Sequence, residues 1–391
     1  MGWSVETVMD QRAKFVHEAC DGGYPISELC EEYGISRQTG YKWLKRYRRD
    51  GIAGLGDRSR RPLSSPRRIP EALRERILDL RKRYGWGSRK VLKVLKKRSP
   101  KVELPARSTI GEMFIRAGLV KRRRHRQTPG PHPGRPGGTP TSPNELWTAD
   151  FKGHFRTRDG TYCYPLTIAD HASRFVLAIE ALPSTRVALA LPIFERTFRR
   201  YGLPDAIRTD NGIPFASVGL ARMSDLSVYF MKLGVAIQLI EPGHPEQNGV
   251  HERMHRTLKH DCLRPPAANA RAQQRKFNVF RGLFNDLRPH EALDDETPAS
   301  RYEPSHRPYP SRIEVFEYPA HFEVRRVSRN NGVRWKGHWV NVAAPLAEEY
   351  VAFEEVDDGI WNVYFRRFLI ARFHERTGVL TGMSAPIAKL R

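Results

Sequence analysis

Apolar residues recur at helical spacing through the first third of the chain. Residues 5–19 predict an amphipathic helix, and residues 26–47 predict two helices with Gly34 at the turn between them and Ser36 as the cap of the second. Three further helices are predicted over 70–84, 88–97 and 108–117. A helix, a turn and a second helix form the pattern of a helix-turn-helix module, so this third is expected to hold two such modules.

The pattern changes in the middle of the chain, where short apolar runs alternate with helical stretches. Strands are predicted over 147–152, 162–168, 175–179, 206–209 and 236–240, and helices over 184–201, 224–233, from Val250 onward and over 277–287. Ser184 and Ser224 are the expected caps of the first two of these helices. Pro192 lies inside the first and predicts a kink or a later helix start. Three strands followed by alternating helices and strands predict an α/β core on one sheet.

Beyond residue 302 the pattern becomes one of short strands. They are predicted over 315–316, 322–327, 334–342, 350–354, 361–365 and 368–373, and together they predict a small β-barrel. The chain is therefore expected to be multidomain. The predicted parts are all-α helix-turn-helix modules over 1–50 and 70–121, a basic linker over 51–69, a Pro/Gly-rich basic linker over 122–143, the α/β core over 144–302 and the barrel over 303–391.

The net charge narrows the class of partner. The formal net charge is +24, and residues 1–145 carry +18 of it, from 33 Lys and Arg against 15 Asp and Glu. An excess confined to one part of the chain favours a polyanionic partner, double-stranded DNA, over a purely solubilising role. Four scattered cysteines without a CxxC pair predict reduced thiols. Without an apolar run of membrane-spanning length or a signal-peptide pattern, the chain is expected in the cytoplasm with no membrane partner.

Basic and polar side chains concentrate on the second helix of the first module and at the start of the last helix of the second. Side chains near the start of such a helix reach base edges and phosphates in a major groove, whereas Tyr41 and Leu44 are expected on the inner face. An ordinary helical hairpin with a solvated basic face is the alternative. The predicted DNA-contacting residues are Arg37, Gln38, Thr39, Lys42, Lys45, Arg46, Arg107, Ser108, Thr109, Arg122, Arg123, Arg124, His244, Asn248, Arg256 and Lys259.

Three acidic residues are candidates for a metal site. Asp150 and Asp210 each follow a short apolar run, and Glu252 lies on the first turn of a helix after an Asn-Gly turn. Carboxylates without a cysteine or imidazole cluster are ligands for a hard ion, Mg²⁺ or Mn²⁺. The alternative is zinc, because His251, Glu252 and His255 match the H-E-x-x-H pattern of zinc proteases. The strongly basic helix around them argues against a protease.

The motifs around these acids resemble those of a known family. W-T-x-D at 147–150, T-D-N-G at 209–212 and G-H-P-x-x-N-G-x-x-E-R-x-x-R-T-L-K at 243–259 resemble the integrase core of retroviral integrases and bacterial insertion-sequence transposases. The two aspartates are separated by 59 residues, and Asp210 and Glu252 by 41. The segments R-P-H-x-x-L from Arg288 and T-P-A from Thr297 are similar to those of the bacterial enzymes and favour a bacterial transposase.

The resemblance implies an RNase H-like core, an SH3-like barrel and a DDE transposase. Asp150, Asp210 and Glu252 would be its catalytic residues and would hold two Mg²⁺ or Mn²⁺ ions, with Asp150 bridging both. It further implies recognition of terminal inverted repeats, 3′-end cleavage and strand transfer by a homodimer or higher oligomer on DNA, associated with the bacterial nucleoid and without a small-molecule substrate. The alternatives are a DNA-binding regulator on the same fold that has lost catalysis, and the zinc protease.

Overall fold

The computed structural model describes residues 6–59, 69–120, 140–217, 219–241 and 245–388. The chain divides into two compact units, residues 1–70 and 71–391. The helices in the described ranges are α1 Val8–Asp21, α2 Ile26–Glu32, α3 Arg37–Asp50, α4 Glu71–Tyr84, α5 Ser88–Arg98, α6 Arg107–Arg116, α7 Val187–Tyr201, α8 Asp225–Lys232, α9 Gly249–Cys262 and α10 Ala270–Gly282. None of these helices is long and apolar enough to cross a membrane.

The strands form the second part of the architecture. They are β1 Leu146–Phe151, β2 Phe155–Arg156, β3 Tyr162–Asp170, β4 Val176–Leu182, β5 Ala206–Thr209, β6 Ala236–Leu239, β7 Glu323–Arg326, β8 Gly332–Trp335, β9 His338–Asn341, β10 Tyr350–Asp357, β11 Ile360–Phe365, β12 Phe368–His374 and β13 Val379–Ala388. The short strand β2 and the last strand β13 were not predicted from the sequence. The strand predicted at 315–316 is absent from the structure.

The first unit is a three-helix module with its own core. The turn between α2 and α3 has Gly34 at φ +62°, and the Ser36 hydroxyl accepts a hydrogen bond from the Thr39 N–H at 3.2 Å, as the sequence predicts. The expectation for the inner face of α3 is wrong at Tyr41, which is 57% exposed. Trp43, two positions further along the helix, is buried instead beside Leu44.

The folded part of this unit continues beyond residue 50. Residues 51–55, expected to begin a linker, form a 3₁₀ turn whose Leu55 side chain is fully buried in the same core. Arg12 of α1 holds this turn, because its guanidinium donates to the Leu55 carbonyl at 2.9 Å and lies 3.0 Å from the Asp57 carboxylate.

Helices α4, α5 and α6 form a second small bundle, which belongs to the same compact unit as the sheet. Three ion pairs join α5 to the segment 291–296 that follows α10. Arg89 contacts the carboxylates of Asp295 at 2.7 Å and Glu291 at 2.6 Å, and Lys93 contacts Glu296 at 2.7 Å. These pairs fix α5 against the central domain.

The predicted α/β core is built on one sheet, whose strands are partly antiparallel and partly parallel. The strands lie in the order β4-β3-β1-β5-β6, with β2 also paired to β3. β1 is antiparallel to β3 but parallel to β5, which is in turn parallel to β6. The register places Thr167 opposite Asp150 and Thr209 beside Ala149. The two central parallel strands therefore both end at the edge where the acidic residues lie.

Helices cover both faces of this sheet. α7 and α8 pack on one face through a large apolar cluster, and α9 and α10 pack on the other through Met254, Leu258, Phe277 and Phe280. Ser224 caps α8 as predicted.

Three predicted helix starts are wrong. α1 begins at Val8, three residues later than predicted, because the Thr7 side chain caps it there. α7 begins at Val187 after Arg186, not at a cap on Ser184, and it continues through Pro192. α10 begins at Ala270, seven residues earlier than predicted, because the Asn269 side chain accepts the Ala272 N–H at 2.9 Å and caps the helix there.

The C-terminal part is all-β. Five antiparallel strands lie in the order β13-β12-β11-β10-β7, and β8 and β9 form a separate hairpin. The single strand predicted over 334–342 is in fact this hairpin, since Lys336 and Gly337 have positive φ angles and reverse the chain. Its apolar residues continue the cluster of the central sheet. The closed SH3-like barrel stays a prediction.

Candidate active site

Asp150 and Asp210 lie side by side at the ends of neighbouring parallel strands. Asp150 is the fifth residue of β1, and Asp210 directly follows β5. Because Ala149 pairs with Thr209, the next residue of each strand reaches the same edge of the sheet. Both carboxylates are half-buried, whereas Glu252 is exposed on the first turn of α9.

The electrostatics of the site follow from this convergence of acids. Burial raises the pKa of Asp150 to about 7, and the negative charges of Asp210 and Glu252 add to the rise while Lys152 opposes it. Burial also raises the pKa of Asp210, although the Gly212 N–H that donates to its carboxylate at 3.2 Å acts in the opposite direction. A half-buried carboxylate whose charge is opposed by two neighbouring acids belongs to a donor set that a hard divalent cation neutralises.

The buried and the exposed side of α9 carry different side chains. His251, Met254, His255 and Leu258 are buried against the sheet. Glu252, Arg256 and Lys259 are exposed, at the i, i+4 and i+7 spacing that places them along one face. The carboxylate of Glu252 and two basic side chains therefore share the solvent side of the helix that covers the acidic edge.

A buried network of threonine and histidine side chains lies beneath Asp150. The Thr148 hydroxyl is 2.7 Å from Nδ1 of His251, and the Thr167 hydroxyl is 2.7 Å from Nε2 of His251 and 2.6 Å from Nε2 of His255. Nδ1 of His255 is 3.5 Å from Oδ2 of Asp150. Burial lowers the pKa of His251 to about 3 and that of His255 well below its ordinary value, so both rings are neutral.

This network bears on the zinc alternative. Donor atoms of Asp150, His251 and His255 lie within 4.8 Å of one another. Both nitrogens of His251, however, already contact threonine hydroxyls, and a zinc ligand needs a free imidazole lone pair. Glu252 lies on the solvent side of the helix, away from the buried rings. The geometry therefore does not provide the two free imidazoles that an H-E-x-x-H zinc site requires.

The predicted DNA-contacting residues of the two helical modules lie on accessible faces. Arg37, Gln38, Lys42, Lys45, Arg107 and Ser108 are exposed, and Thr39, Arg46 and Thr109 are half-buried. Trp43 supports two of them, because the cations of Lys42 and Arg46 lie 4.6 and 5.0 Å from its ring centroid.

The remaining predicted DNA contacts differ in their surroundings. Arg256 and Lys259 are exposed on α9. Asn248 is only 5% exposed, so its side chain lacks the accessibility expected of a residue that contacts DNA. Arg122, Arg123, Arg124 and His244 lie outside the described residues.

Thr148, Thr167 and Lys152 are the site residues that the sequence reasoning missed. Thr148 lies two positions before Asp150, so the alternation of a strand places it on the same face, and this signal was available in the sequence. Thr167 could be assigned to the site only from the strand register, which pairs it with Asp150.

Comparison with known domain families gives four matches. A helix-turn-helix domain matches residues 11–62, a homeodomain-like domain matches residues 39–113, and integrase core domains match residues 140–245 and 233–298. Asp150 and Asp210 fall in the first integrase-core match and Glu252 in the second.

Individual proteins are similar over longer stretches. An uncharacterized 31.7 kDa protein of insertion element IS407 from Burkholderia multivorans is 30% identical over 205 residues, which are 51% of this chain and 69% of the relative. An uncharacterized 39.2 kDa protein of insertion element IS476 from Xanthomonas euvesicatoria is 25% identical over 294 residues, 72% of this chain and 80% of the relative. A chain of the simian T-cell lymphotropic virus intasome, solved with PP2A regulatory subunit B56 gamma, is 17% identical with a TM-score of 0.37; the match covers 80% of this chain and 100% of the viral one.

Proposed function

The chain belongs to the insertion-sequence transposases with an integrase core, and from this premise we propose that it is a DDE transposase with Asp150, Asp210 and Glu252 as catalytic residues. The observation that carries the proposal is the convergence of the three carboxylates, which helps to raise the pKa of Asp150 to about 7. A structural cluster of acids would be expected to carry its own basic partners. Here Lys152 offsets only part of the charge, and a bound cation would neutralise the rest.

Asp150, Asp210 and Glu252 are proposed to hold Mg²⁺ or Mn²⁺, two ions in each site. The donor set fits, because it consists of oxygen ligands that lack a full counter-charge in the described part of the chain. Two such ions supply stabilisation of the charge that develops around phosphorus during an in-line displacement.

The side chains of α9 are proposed to position the DNA. The exposed Arg256 and Lys259 share the solvent side of the helix with Glu252, where they can bind phosphates next to the scissile bond. In the first reaction water forms a bond to phosphorus and the bond to the 3′ oxygen breaks, which leaves a free 3′-OH. In the second, that 3′-OH attacks a target phosphodiester and displaces a 3′-OH of the target. Neither step requires a covalent intermediate with the protein.

The helical modules are proposed to select the DNA ends. α3 and α6 present exposed Arg37, Gln38, Arg107 and Ser108 at their first turns, which suits base readout in a major groove. We further propose that the chain binds terminal inverted repeats as a homodimer or higher oligomer in the bacterial cytoplasm. The domain boundaries predicted from the sequence, apart from the one at residue 50, and the SH3-like barrel belong to this proposal.

Cleavage and strand transfer on labelled oligonucleotides that carry the element's own ends would test this function. The wild type is compared with Glu252→Gln, in Mg²⁺ and in EDTA, with DNA binding measured in parallel. Glu252→Gln removes one ligand charge and is expected to lower cleavage on the order of 1,000-fold while binding is retained. Glu317→Gln makes the same change at an exposed position in the same unit and should cleave as the wild type does.

Two outcomes would contradict the proposal. Cleavage that survives both EDTA and Glu252→Gln would exclude the three-carboxylate site as its source. Specific binding by the wild type without nicking in any metal would indicate a DNA-binding regulator on the same fold.

A further inference from the structure

The hydroxyl of Thr167 is the centre of the buried network beneath Asp150. A hydroxyl has one proton to donate and two lone pairs that accept. Three groups compete for the Thr167 proton, since the backbone carbonyl of Asp150 lies at 2.9 Å, Nε2 of His251 at 2.7 Å and Nε2 of His255 at 2.6 Å. The direction of that single proton therefore decides the tautomer of the neighbouring imidazole.

Donation from Thr167 to the Asp150 carbonyl leaves the site poorly satisfied. Both imidazoles would then have to donate to Thr167 through Nε2–H. Each neutral ring has only one N–H, so Nδ1 of His255 would be bare and would face Oδ2 of Asp150 at 3.5 Å. With the Asp150 carboxylate ionised, as a metal ligand must be, two acceptors would oppose each other in a buried place, where an unsatisfied polar contact is costly.

Donation from Thr167 to Nε2 of His251 would leave His255 with the same conflict, because its Nε2–H would still have to donate to Thr167. Donation to Nε2 of His255 instead satisfies every one of these side chains. Thr148 donates to Nδ1 of His251 at 2.7 Å and not to the more distant Ala169 carbonyl at 3.2 Å. The Nε2–H of His251 then donates to the Thr167 oxygen. The Thr167 hydroxyl donates to Nε2 of His255, and this ring then carries its proton on Nδ1, directed at the Asp150 carboxylate. The order is Thr148, His251, Thr167, His255 and Asp150.

We propose that this one-directional hydrogen-bond chain holds the Asp150 carboxylate in place, with His255 as the positioning residue that contacts it. The inference rests on the proposed function, which makes Asp150 a metal ligand. The side chains come from β1, β3 and α9, so the network also fixes the helix that carries Glu252 relative to the strand that carries Asp150. Groups that orient a ligand in this way typically raise metal affinity about 10- to 100-fold.

The tautomers can be read directly by NMR of the full chain with ¹⁵N-labelled histidine rings, in EDTA and well above pH 7, where Asp150 is ionised without a metal. His255 is expected as the Nδ1–H tautomer and His251 as the Nε2–H tautomer, with the signals assigned by their loss in His255→Asn and His251→Asn. An Nε2–H tautomer at His255 would overturn the proposal. This measurement does not depend on catalysis, so it decides the network even if the wild type fails to cleave DNA.

The positioning role is tested by metal binding without DNA. Thr167→Val keeps the side-chain shape but removes the central hydroxyl, and it is expected to raise the Mg²⁺ concentration that half-saturates thermal stabilisation about 10- to 100-fold. Thr197→Val is the matched control, because Thr197 is equally buried on α7 and its hydroxyl donates only to its own helix, at 2.7 Å to the Ile193 carbonyl.

Each outcome of the metal titration decides the matter. An unchanged midpoint in Thr167→Val, or an equal shift in Thr197→Val, would overturn the positioning role. Should Thr167→Val fail to fold, Thr148→Val removes the first donor of the chain and is expected to shift the same midpoint in the same direction. His255→Asn keeps a donor near the position of Nδ1, so it should bind Mg²⁺ better than His255→Leu.

Discussion

The Asp150 side chain is half-buried, has two acidic neighbours and is a proposed catalytic residue. It sits on a central strand, close to two further acids, and its pKa is raised to about 7 chiefly by burial. In the metal-free protein this rise is a cost, because the folded state holds a proton that the unfolded state has already released. A bound cation therefore stabilises the folded state most above about pH 7, where the Asp150 carboxylate is ionised without a full counter-charge.

Asp150→Asn should reveal this cost as a pH-dependent gain in stability. The ordinary pKa of an aspartate is 3.8, so between about pH 4 and pH 7 the unfolded wild type loses a proton that the folded state keeps. Wild-type stability in EDTA should fall through this window and level off above pH 7. The variant should become more stable than wild type by up to about 4 kcal/mol at high pH.

Denaturant unfolding in EDTA between pH 4 and pH 9 measures this difference. Asp286→Asn removes the same charge at an exposed position and should show no such trend. Adding Mg²⁺ should stabilise the wild type but not Asp150→Asn. A difference between Asp150→Asn and wild type that stays constant across the pH range would contradict the account of the buried carboxyl.

Among the secondary-structure elements, α10 and the segment after it protect the edge of the central sheet. β4 is an edge strand, whose outer N–H and C=O groups are open to pairing with another chain. The Asn285 amide accepts the Val176 N–H and donates to the Val176 carbonyl, both at 2.9 Å. The Gln274 amide likewise accepts the Ala181 N–H at 2.7 Å and donates to the Ile179 carbonyl at 2.8 Å. Side-chain amides thus replace the missing strand.

Asn285→Leu tests this role. The substitution keeps the approximate volume but leaves both backbone groups of the buried Val176 without a partner, at about 1–3 kcal/mol for each group. The free energy of unfolding is therefore expected to fall by about 2–5 kcal/mol. Arg275→Leu, on the exposed side of α10, should change it little. A loss in Asn285→Leu no larger than in this control would show that the amide does not protect the edge.

Across the molecule, Arg307 joins the central domain to the C-terminal sheets within the second unit. Its guanidinium donates to the carbonyls of Pro204 at 2.7 Å and Gly234 at 3.0 Å, and it lies 3.1 Å from the Asp205 carboxylate. Backbone bonds on both sides of it, from Leu203 to the Arg307 carbonyl and from Ser305 to the Tyr201 carbonyl, hold the same segment. This junction fixes the start of the C-terminal part against the sheet that carries the acids.

Arg307→Leu is expected to loosen the junction. Loss of several hydrogen bonds to a charged group should lower the free energy of unfolding by about 2–4 kcal/mol and make the segment around residue 307 accessible to limited proteolysis. Arg307→Lys should not restore the wild-type behaviour, because one ammonium cannot reach both carbonyls in the fork geometry of a guanidinium. Arg312→Leu, exposed in the same segment, is the control. Equal protease resistance of Arg307→Leu and Arg312→Leu would contradict this role.

Local patterns in the sequence were sufficient for the order of the helices and, apart from the short β2, of the strands in the central sheet, and for the candidate acids. Ser36 and Ser224 cap the helices they were predicted to cap, since capping depends on residues three positions apart. Asp150, Asp210 and Glu252 were found because each lies in a short motif at the end of a predicted element. Alternation and helical periodicity act over a few residues, and the amino-acid order alone carries that information.

Contacts between distant segments were decided by the tertiary structure alone. The Thr148–His251 contact joins residues 103 positions apart, and the Thr167–His255 contact joins residues 88 positions apart. The inward direction of both imidazoles depends on how α9 docks on the sheet, and Thr167 faces Asp150 only through the strand register. Docking and register are set by the packing of the whole core, so no local pattern could have shown that the H-E-x-x-H histidines support an aspartate instead of binding zinc.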